Sequence, residues 1–283
     1  MPFQKLSIDP RWFQVSFQSI FLLYGIFFLH WHTDLTHYGT SIGACLLFQY
    51  LFESLKQRKW LSITAFNHWG FSVLISAMSL CLLLKVNHWY TSLLAALITV
   101  GGKYLLQWKG KHLVNPSALG IVAVLLLTND AWLSPGQWGS TAVIFFMVIT
   151  LGTIVITGVQ RLDISLAFLF TYCFLLYSRQ MLYLDWPADF FIHSISTGSL
   201  LLFSFFMISD PKTAPNHPVA RILWAVGIAV VSFYLSAFQW KYNTPIWVLV
   251  AAAPLVPVLN YFLKAKSFQW NNIQWSFQKI NLK

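Results

Sequence analysis

Two loops carry the residues whose types and spacing could bind a ligand. The first lies in FFMISDPKTAPNHP at 205–218, where a long apolar run stops at Asp210. Pro211 disfavours the helical conformation at the residue before it, so Asp210 is predicted to lie where an apolar helix ends. An ionisable group at such a position indicates a functional site. A turn capped by a polar side chain would explain the same pattern.

The second loop lies in GGKYLLQWKGKHLVNPSALG at 101–120. Asn115 and Pro116 are the residue types expected at the N-cap and the first position of a helix. Lys109 and Lys111 precede this helix start, and a helix N-terminus beside two cations can bind an anion or a phosphate. An ordinary basic loop followed by a well-capped helix is the alternative interpretation.

A third cluster, HWHTDLTH at 30–37, contains His30, His32, Asp34 and His37. Histidine and carboxylate side chains are ligands of transition metals. Short loops at a membrane surface also collect histidine and tryptophan as amphipathic anchors. The pattern does not separate these two roles, so no metal site is assigned.

The composition indicates an integral membrane protein. Hydrophobic residues make up 57% of the chain and charged residues 9%, whereas about a quarter of the residues of a soluble domain are charged. A membrane-spanning helix needs about 20 mostly apolar residues. The sequence therefore predicts an all-α polytopic bundle of ten transmembrane helices, at 13–30, 38–55, 68–86, 88–107, 117–133, 140–158, 163–179, 189–208, 219–238 and 245–263. The three cysteines lie inside apolar runs, as small core side chains rather than ligands of an iron–sulfur cluster.

The distribution of basic residues predicts the orientation of these helices. With ten spans and both termini on one side, that side holds 15 of the lysines and arginines, and the other holds only Lys85, Arg179 and Lys241. Basic residues concentrate in cytoplasmic loops, so both termini are predicted to be cytoplasmic. The predicted division is a single transmembrane domain at 1–266 and a cytoplasmic tail at 267–283.

The same topology places both polar loops on one face of the membrane. An even number of predicted crossings separates them, so both face the cytoplasm, and Lys111 and Asp210 are predicted to converge on one site. The net charge of +10 is accounted for by this topology and by attraction to anionic membrane lipid. It does not require a nucleic-acid partner.

Four stretches occur in the order and spacing of a known family. They are Lys103, GKHLVNPSALG at 110–120, RLDISLAF at 161–168 and STGSLLLFSFFMISDPKTAP at 196–215. Together they resemble the NqrB/RnfD family, the membrane flavoprotein subunits of ion-translocating NADH:quinone and ferredoxin:NAD oxidoreductases. With TNDAWLSPGQWGS at 128–140, the chain is most similar to the shorter branch named after enediyne biosynthesis membrane proteins (UnbU-like). The resemblance implies a bacterial inner (cytoplasmic) membrane and other membrane or periplasmic redox subunits as partners.

The resemblance also implies a flavin or quinone site among the helices. The residues predicted to bind the cofactor, from their positions in the motifs, are Lys111, Asn115, Gly198, Ser199, Phe206 and Asp210. The glycine and serine would allow close helix approach, and the phenylalanine and the other polar groups would line the slot. In the family, FMN is esterified to the threonine of a Ser-Gly-Ala-Thr-like motif in an outer loop, and 129–139 contains no such motif. Covalent FMN is therefore not predicted; a noncovalent flavin (FMN or riboflavin) or a quinone is.

The function implied by the resemblance is that of an oxidoreductase subunit in an electron-transport system, coupled to ion translocation. Two other functions are compatible with the sequence. A small-solute transporter or channel would use broken helices with polar ends. A membrane anchor would only hold a biosynthetic or redox partner. A bound flavin or quinone would distinguish the first function from the other two.

Overall fold

The computed structural model describes residues 10–28, 30–31, 34–58, 66–134, 152–153, 156–157 and 160–268 of the chain. This part of the chain is helical almost throughout. A helix lies at each predicted span except 140–158, most of which falls outside the described residues. The all-α prediction is therefore confirmed at the level of class, and the count of ten spans and the side of the termini stay predictions.

Five helices form the first half of the described chain. They are α1 (Pro10–Phe27), α2 (Leu35–Gln57), α3 (Phe66–Leu83), α4 (Trp89–Leu105) and α5 (Pro116–Leu127). Two antiparallel pairs of short strands accompany them, β1 (Leu84–Val86) with β4 (Ala131–Leu133) and β2 (Gln107–Trp108) with β3 (Lys111–His112). The sequence predicted helical spans that run through 86 and 133. An apolar run of three residues is equally compatible with a strand, so hydropathy alone could not show where these helices end. These span ends are corrected to strands.

A tight turn joins β2 to β3 and fixes the position of Lys111. Lys109 has φ 49° and Gly110 has φ 78°. Positive φ at both central residues is typical of a type I′ hairpin turn, whose twist matches that of the two strands. Gly110 adopts this conformation without steric cost. The hairpin holds Lys111 and His112 between the end of α4 and the start of α5.

The second half of the described chain contains interrupted helices. They are α6 (Leu162–Tyr177), α7 (Ala188–Ile195), α8 (Gly198–Leu202), α9 (Pro218–Gln239), α10 (Thr244–Ala252) and α11 (Leu255–Phe262). Two of them continue as π-helical turns, α6 into Ser178–Tyr183 and α8 into Phe203–Met207. Such π-helical turns occur frequently at functional sites.

Two helices of the described residues are long and apolar enough to cross a membrane, Leu162–Tyr183 and Pro218–Gln239. Two further pairs qualify if each is counted as one span: α7 with α8, bent by 47°, and α10 with α11, bent by 56°. The second bend lies at Pro254, where the missing N–H and the ring interrupt a helix. The predicted spans 189–208 and 245–263 are therefore broken helices.

The interior of the bundle is built from small and apolar side chains. Cys45 and Cys81 are 0% and 1% exposed, and Cys173 is partly buried; all three are free thiols. This agrees with the prediction that they are small core side chains. Their neighbours in the core are mostly alanine, leucine, isoleucine and phenylalanine.

We expect Gly120→Ala to destabilise the packing of α4 against α5. A Cβ at Gly120 would lie 2.7 Å from the carbonyl oxygen of Ala95 and would overlap the hydroxyl of Thr99. Overpacking of this kind costs about 1–3 kcal/mol, so thermal unfolding in detergent should begin at a lower temperature. Gly227→Ala is the control, because no atom lies within 4 Å of its added Cβ. Equal melting temperatures for the two variants would contradict this account of the packing.

Candidate functional site

Lys111 joins the two polar loops that the sequence predicted to converge. Its ammonium donates hydrogen bonds to the carbonyl oxygen of Ala214 at 2.7 Å and to Oδ1 of Asn216 at 2.7 Å. Burial, followed by the nearby Arg161, lowers the pKa of Lys111 to about 8. The β2–β3 hairpin is thereby fastened to the loop that follows Asp210, so the two loops meet, although Lys111 does not line the cavity that Asp210 borders.

Asn115 caps α5 and also reaches the second loop. Its Oδ1 accepts hydrogen bonds from the backbone N–H of Ala118 at 3.1 Å and from the hydroxyl of Ser117 at 2.9 Å. Its Nδ2 donates to the carbonyl oxygen of Met207 at 3.4 Å. Pro116 follows at the first helical position, where its missing N–H has no cost. The side chain of Asn115 therefore links the start of α5 to the end of the π-helical turn.

Asp210 follows that turn by three residues and organises the loop after it. Its Oδ1 accepts a hydrogen bond from the backbone N–H of Lys212 at 2.9 Å. Its carbonyl oxygen accepts from the N–H groups of Thr213 at 3.1 Å and Ala214 at 2.9 Å. This is the capped turn that was one of the two interpretations of Asp210. The carboxylate also borders a cavity, so the second interpretation stays open.

The two loops close one cavity of about 170 Å³ at this end of the bundle. Four basic side chains and one carboxylate line it: Arg11, Lys103, His112, Lys212 and Asp210. The rest of the lining is polar, aromatic or apolar: Gln14, Ser72, Ile75, Ser76, Ser79, Asn115, Pro116, Ser117, Phe205, Phe206, Ser209 and Pro211. An excess of positive charge around a partly apolar cavity suits a ligand that has an aromatic ring and oxygen atoms that become negative.

Lys103 is the most buried of these cations. Its side chain is 5% exposed, and its ammonium donates to the carbonyl oxygen of Ser72 at 2.9 Å and approaches the Ser72 hydroxyl at 3.4 Å. The sequence singled out Lys103 as part of the family pattern without giving it a role. Burying a charge is costly unless it has partners, so a lysine this buried beside a cavity indicates a site for an electron-rich ligand.

One face of α3 supplies three hydroxyl groups to the cavity, and the sequence analysis missed it. Ser72, Ser76 and Ser79 are spaced so that they lie on the same side of a helix. Ser79 also accepts a hydrogen bond from Gln18 of α1 at 3.0 Å. The regular spacing of serines inside an apolar helix was the signal that could have found this face.

Gly198 and Ser199 do not join this site. They begin α8, at the opposite end from Asp210 of the segment formed by this helix and its π-helical turn, and they do not line the cavity. Ser199 instead borders a second cavity of about 90 Å³, together with Thr197, Tyr172 and Asn243. Of the six residues predicted to bind a cofactor, Asn115, Phe206 and Asp210 line the 170 Å³ cavity, and Lys111 lies directly outside it.

A network of charged side chains holds the Asp210 loop from its outer side. Arg221 forms an ion pair with Asp163 at 2.6 Å and donates to the carbonyl oxygen of Asn216 at 3.3 Å. Arg161 donates to the carbonyl oxygen of Pro215 at 3.3 Å. Burial and the neighbouring Arg221 lower the pKa of Arg161 to about 10. These contacts place the RLDISLAF motif against the loop, which gives that part of the family pattern a structural role.

The histidine cluster near residue 30 is not assembled as a metal site in the described residues. Asp34 caps α2 by accepting from the N–H of His37 at 3.0 Å, and the His37 ring contacts the hydroxyl of Ser92 at 2.7 Å. His32 lies outside the described residues. Within the part that the structure describes, no three histidine, cysteine or acidic side chains are grouped to hold a metal ion.

Two comparisons with known proteins bear on this site. A model of the NQR2, RnfD, RnfE family matches residues 127–269, and a search of curated proteins finds no match. The matched range includes Asp210 and Phe206. It begins after Lys103 and Asn115, so these two residues are assigned to the site by the geometry described above.

Proposed function

We propose that this chain, which belongs to the NQR2, RnfD, RnfE family, moves electrons through a quinone held in the 170 Å³ cavity. Membership makes the chain a membrane component of electron-transport complexes. The observation that supports a site at this position is the closure of one cavity by two polar loops that are far apart in sequence, through the contacts of Lys111 and Asn115.

The size of the cavity favours a quinone over a flavin. An apolar cavity of about 150 Å³ is sufficient for one benzene ring, and this cavity measures about 170 Å³. We therefore propose a single-ring quinone head as the ligand, ahead of the larger three-ring system of a noncovalent FMN or riboflavin. The phenyl rings of Phe205 and Phe206 offer walls for such a ring.

The polar groups of the cavity suit the oxygens of a quinone. A bound quinone would carry two electrons and two protons when it is reduced to the quinol. Lys103 and Asn115, which line the cavity, provide N–H donors. Donors aimed at oxygens that gain charge during reduction stabilise the reduced form. We propose that electrons come from other membrane or periplasmic redox subunits and that their transfer is coupled to ion translocation.

A second candidate function is a small-solute transporter, and the two bent helix pairs favour it. Discontinuous helices build substrate sites in many transporters, and the 90 Å³ cavity lies near the break between α7 and α8. Solute flux into proteoliposomes without any redox partner would support this function. A membrane anchor without chemistry of its own would show neither flux nor bound quinone.

We expect purified protein in nanodiscs of native lipid to retain about one quinone per chain. Organic extraction followed by chromatography and mass spectrometry measures the quinone, and the same extract measures flavin. Empty nanodiscs made from the same lipid correct for quinone dissolved in the bilayer. Quinone at the level of the empty discs would contradict the proposal, and one noncovalent flavin per chain would replace the quinone with the flavin.

A further inference from the structure

A groove of about 610 Å³ lies beside the 170 Å³ cavity, at the end of the bundle that the charge distribution predicts to be cytoplasmic. The β2–β3 hairpin forms one wall of this groove, and α11 with the residues that follow it forms the other. Two helices end here, α4 at Leu105 and α11 at Phe262. The ends of spanning helices reach the level of the lipid head groups. We therefore expect the groove to face the head-group region of the membrane.

The hairpin wall of the groove is positively charged. Lys109 and Lys111 line it, and no acidic side chain of the described residues does. Lys109 is exposed, and its ammonium has no hydrogen bond or ion pair within the described part of the chain. Lys111 uses two of its N–H donors on Ala214 and Asn216, which leaves the third for a ligand. This wall therefore favours a negatively charged ligand.

Lys111 also lies among other cations. Burial lowers the pKa of Lys111, and the nearby Arg161, Lys212 and Arg221 lower it further, whereas Asp210 raises it. Like charges that are held close together repel one another, and an anion beside them offsets this repulsion. An anion in the groove would therefore stabilise the hairpin in its position against the loop.

The α11 wall of the groove is apolar, and aromatic side chains stand at its rim. Residues 256–258, two valines and a proline, form this wall, with Leu113 nearby on the hairpin side. Trp108 is 57% exposed and Tyr261 is 72% exposed. Exposed tryptophan and tyrosine rings are typical of the head-group level of a bilayer. A positive wall beside an apolar one suits an anion that carries hydrocarbon chains.

We propose that this groove is a binding site for one anionic phospholipid, whose phosphate contacts Lys109 and Lys111 and whose acyl chains lie along α11. Basic pockets on the cytoplasmic side of membrane proteins bind anionic head groups in this way. Two amide side chains add donors for the phosphate. Oδ1 of Asn216 accepts from Lys111, and Oδ1 of Asn260 accepts from the backbone N–H of Asn216 at 2.8 Å, so the Nδ2 of each amide can donate to a phosphate oxygen.

The site stands apart from the proposed electron-transfer function. The lipid would lie in the groove and not in the 170 Å³ cavity, so the proposal holds whether or not the cavity binds a quinone. The lipid would contact both the hairpin and α11, and a ligand that binds only the folded protein raises its thermal stability. Lipid binding and thermal unfolding can therefore be measured without any redox assay.

The first test compares an anionic lipid with a zwitterionic one. Delipidated protein in detergent is titrated with phosphatidylglycerol or with phosphatidylcholine, and native mass spectrometry counts the lipids bound to each chain. We expect the first phosphatidylglycerol to bind about tenfold more tightly than the first phosphatidylcholine, because only the former has a net negative charge. It should also raise the unfolding temperature more, and added salt should reduce both differences. Equal affinity for the two lipids would overturn the proposal.

Two variants test whether the lysine of the groove attracts this lipid. Lys109→Asn removes the charge and keeps the turn, because asparagine tolerates the φ of 49° at this position. It should weaken phosphatidylglycerol binding roughly fivefold, as the loss of one lysine beside an anionic head group predicts, and leave phosphatidylcholine binding unchanged. Arg58→Asn is the matched control, since Arg58 is an exposed cation with φ 51° that does not line the groove. Equal losses in the two variants, or no loss in Lys109→Asn, would overturn the proposal.

A second pair of variants tests the apolar wall. Val258→Asp places a carboxylate beside the groove, at a residue that is 49% exposed, and should weaken phosphatidylglycerol binding roughly tenfold or more through like-charge repulsion. Leu255→Asp is the control, because Leu255 begins the same helix, is 55% exposed and does not line the groove. Equal affinity of the two variants for phosphatidylglycerol would place the lipid elsewhere and overturn the proposal.

A competition experiment separates the lipid from a soluble phosphate. Glycerol 3-phosphate has the charge of a lipid head group without the acyl chains, which contribute much of the free energy of lipid binding. We expect it to leave the first phosphatidylglycerol bound. Displacement of the lipid by an equal concentration of glycerol 3-phosphate would make the groove a site for a soluble phosphate compound, and the lipid proposal would then be wrong.

Discussion

Replacing Ser76 with leucine is expected to weaken quinone binding roughly tenfold to a hundredfold. Ser76 is 5% exposed and lines the cavity, and its hydroxyl donates only within its own helix, to the carbonyl oxygen of Ser72 at 3.1 Å. A leucine would occupy space that one quinone ring needs. Overpacking costs about 1–3 kcal/mol, and each 1.4 kcal/mol is a factor of ten in the dissociation constant.

Two control variants separate the loss of space from other effects. Ser76→Ala removes the hydroxyl without adding volume, so it should weaken binding by no more than about threefold. Leu74→Phe adds volume to the same helix at a partly buried position that does not line the cavity, so it reports any general disturbance of α3. Quinone binding is measured by titration in nanodiscs with a fluorescent or radiolabelled short-chain quinone. Equal affinity for wild-type and Ser76→Leu protein would place the quinone elsewhere.

The parts of the site that the sequence predicted are those with a local signal. Asp210 was marked by the proline after it, and Asn115 by the proline that starts α5, because both effects act between adjacent residues. The sequence predicted that their loops meet because an even number of predicted membrane crossings separates the two loops. Their meeting is present in the fold through Lys111, which bridges to Ala214 and Asn216.

The parts that the sequence did not predict depend on distances along and between helices. Gly198 and Ser199 belong to the same motif as Asp210, but they lie at the other end of the helical segment and do not line the cavity. The serines of α3 and His112 join the site through neighbours distant in sequence, and a polar face on one helix does not reveal which helix it meets. The β1–β4 pair was missed for the same reason. Leu84 pairs with Leu133, and the helices α4 and α5 separate these two residues along the chain.

Replacing Lys103 with methionine is expected to lower the midpoint reduction potential of the bound quinone by about 30–65 mV. Lys103 is 5% exposed and lines the cavity, and its ammonium has hydrogen bonds only to Ser72 among the described residues. This ammonium stabilises the oxygens of the reduced ring more than those of the oxidised ring. Hydrogen bonds to charged groups contribute about 1.5–3 kcal/mol, and 30 mV corresponds to about 1.4 kcal/mol for a two-electron couple.

Methionine is the suitable replacement because it nearly preserves the length and volume of the lysine stem without its charge. Lys264→Met is the control, since Lys264 is exposed after α11 and does not line the cavity. The potential is measured by redox titration of protein loaded with quinone in nanodiscs, beside a thermal unfolding curve that checks the fold. A potential that is unchanged or higher in Lys103→Met, with the fold intact, would show that the ammonium does not act on the ring. The positive charge of the cavity would then have to be explained by an anion other than a reduced quinone.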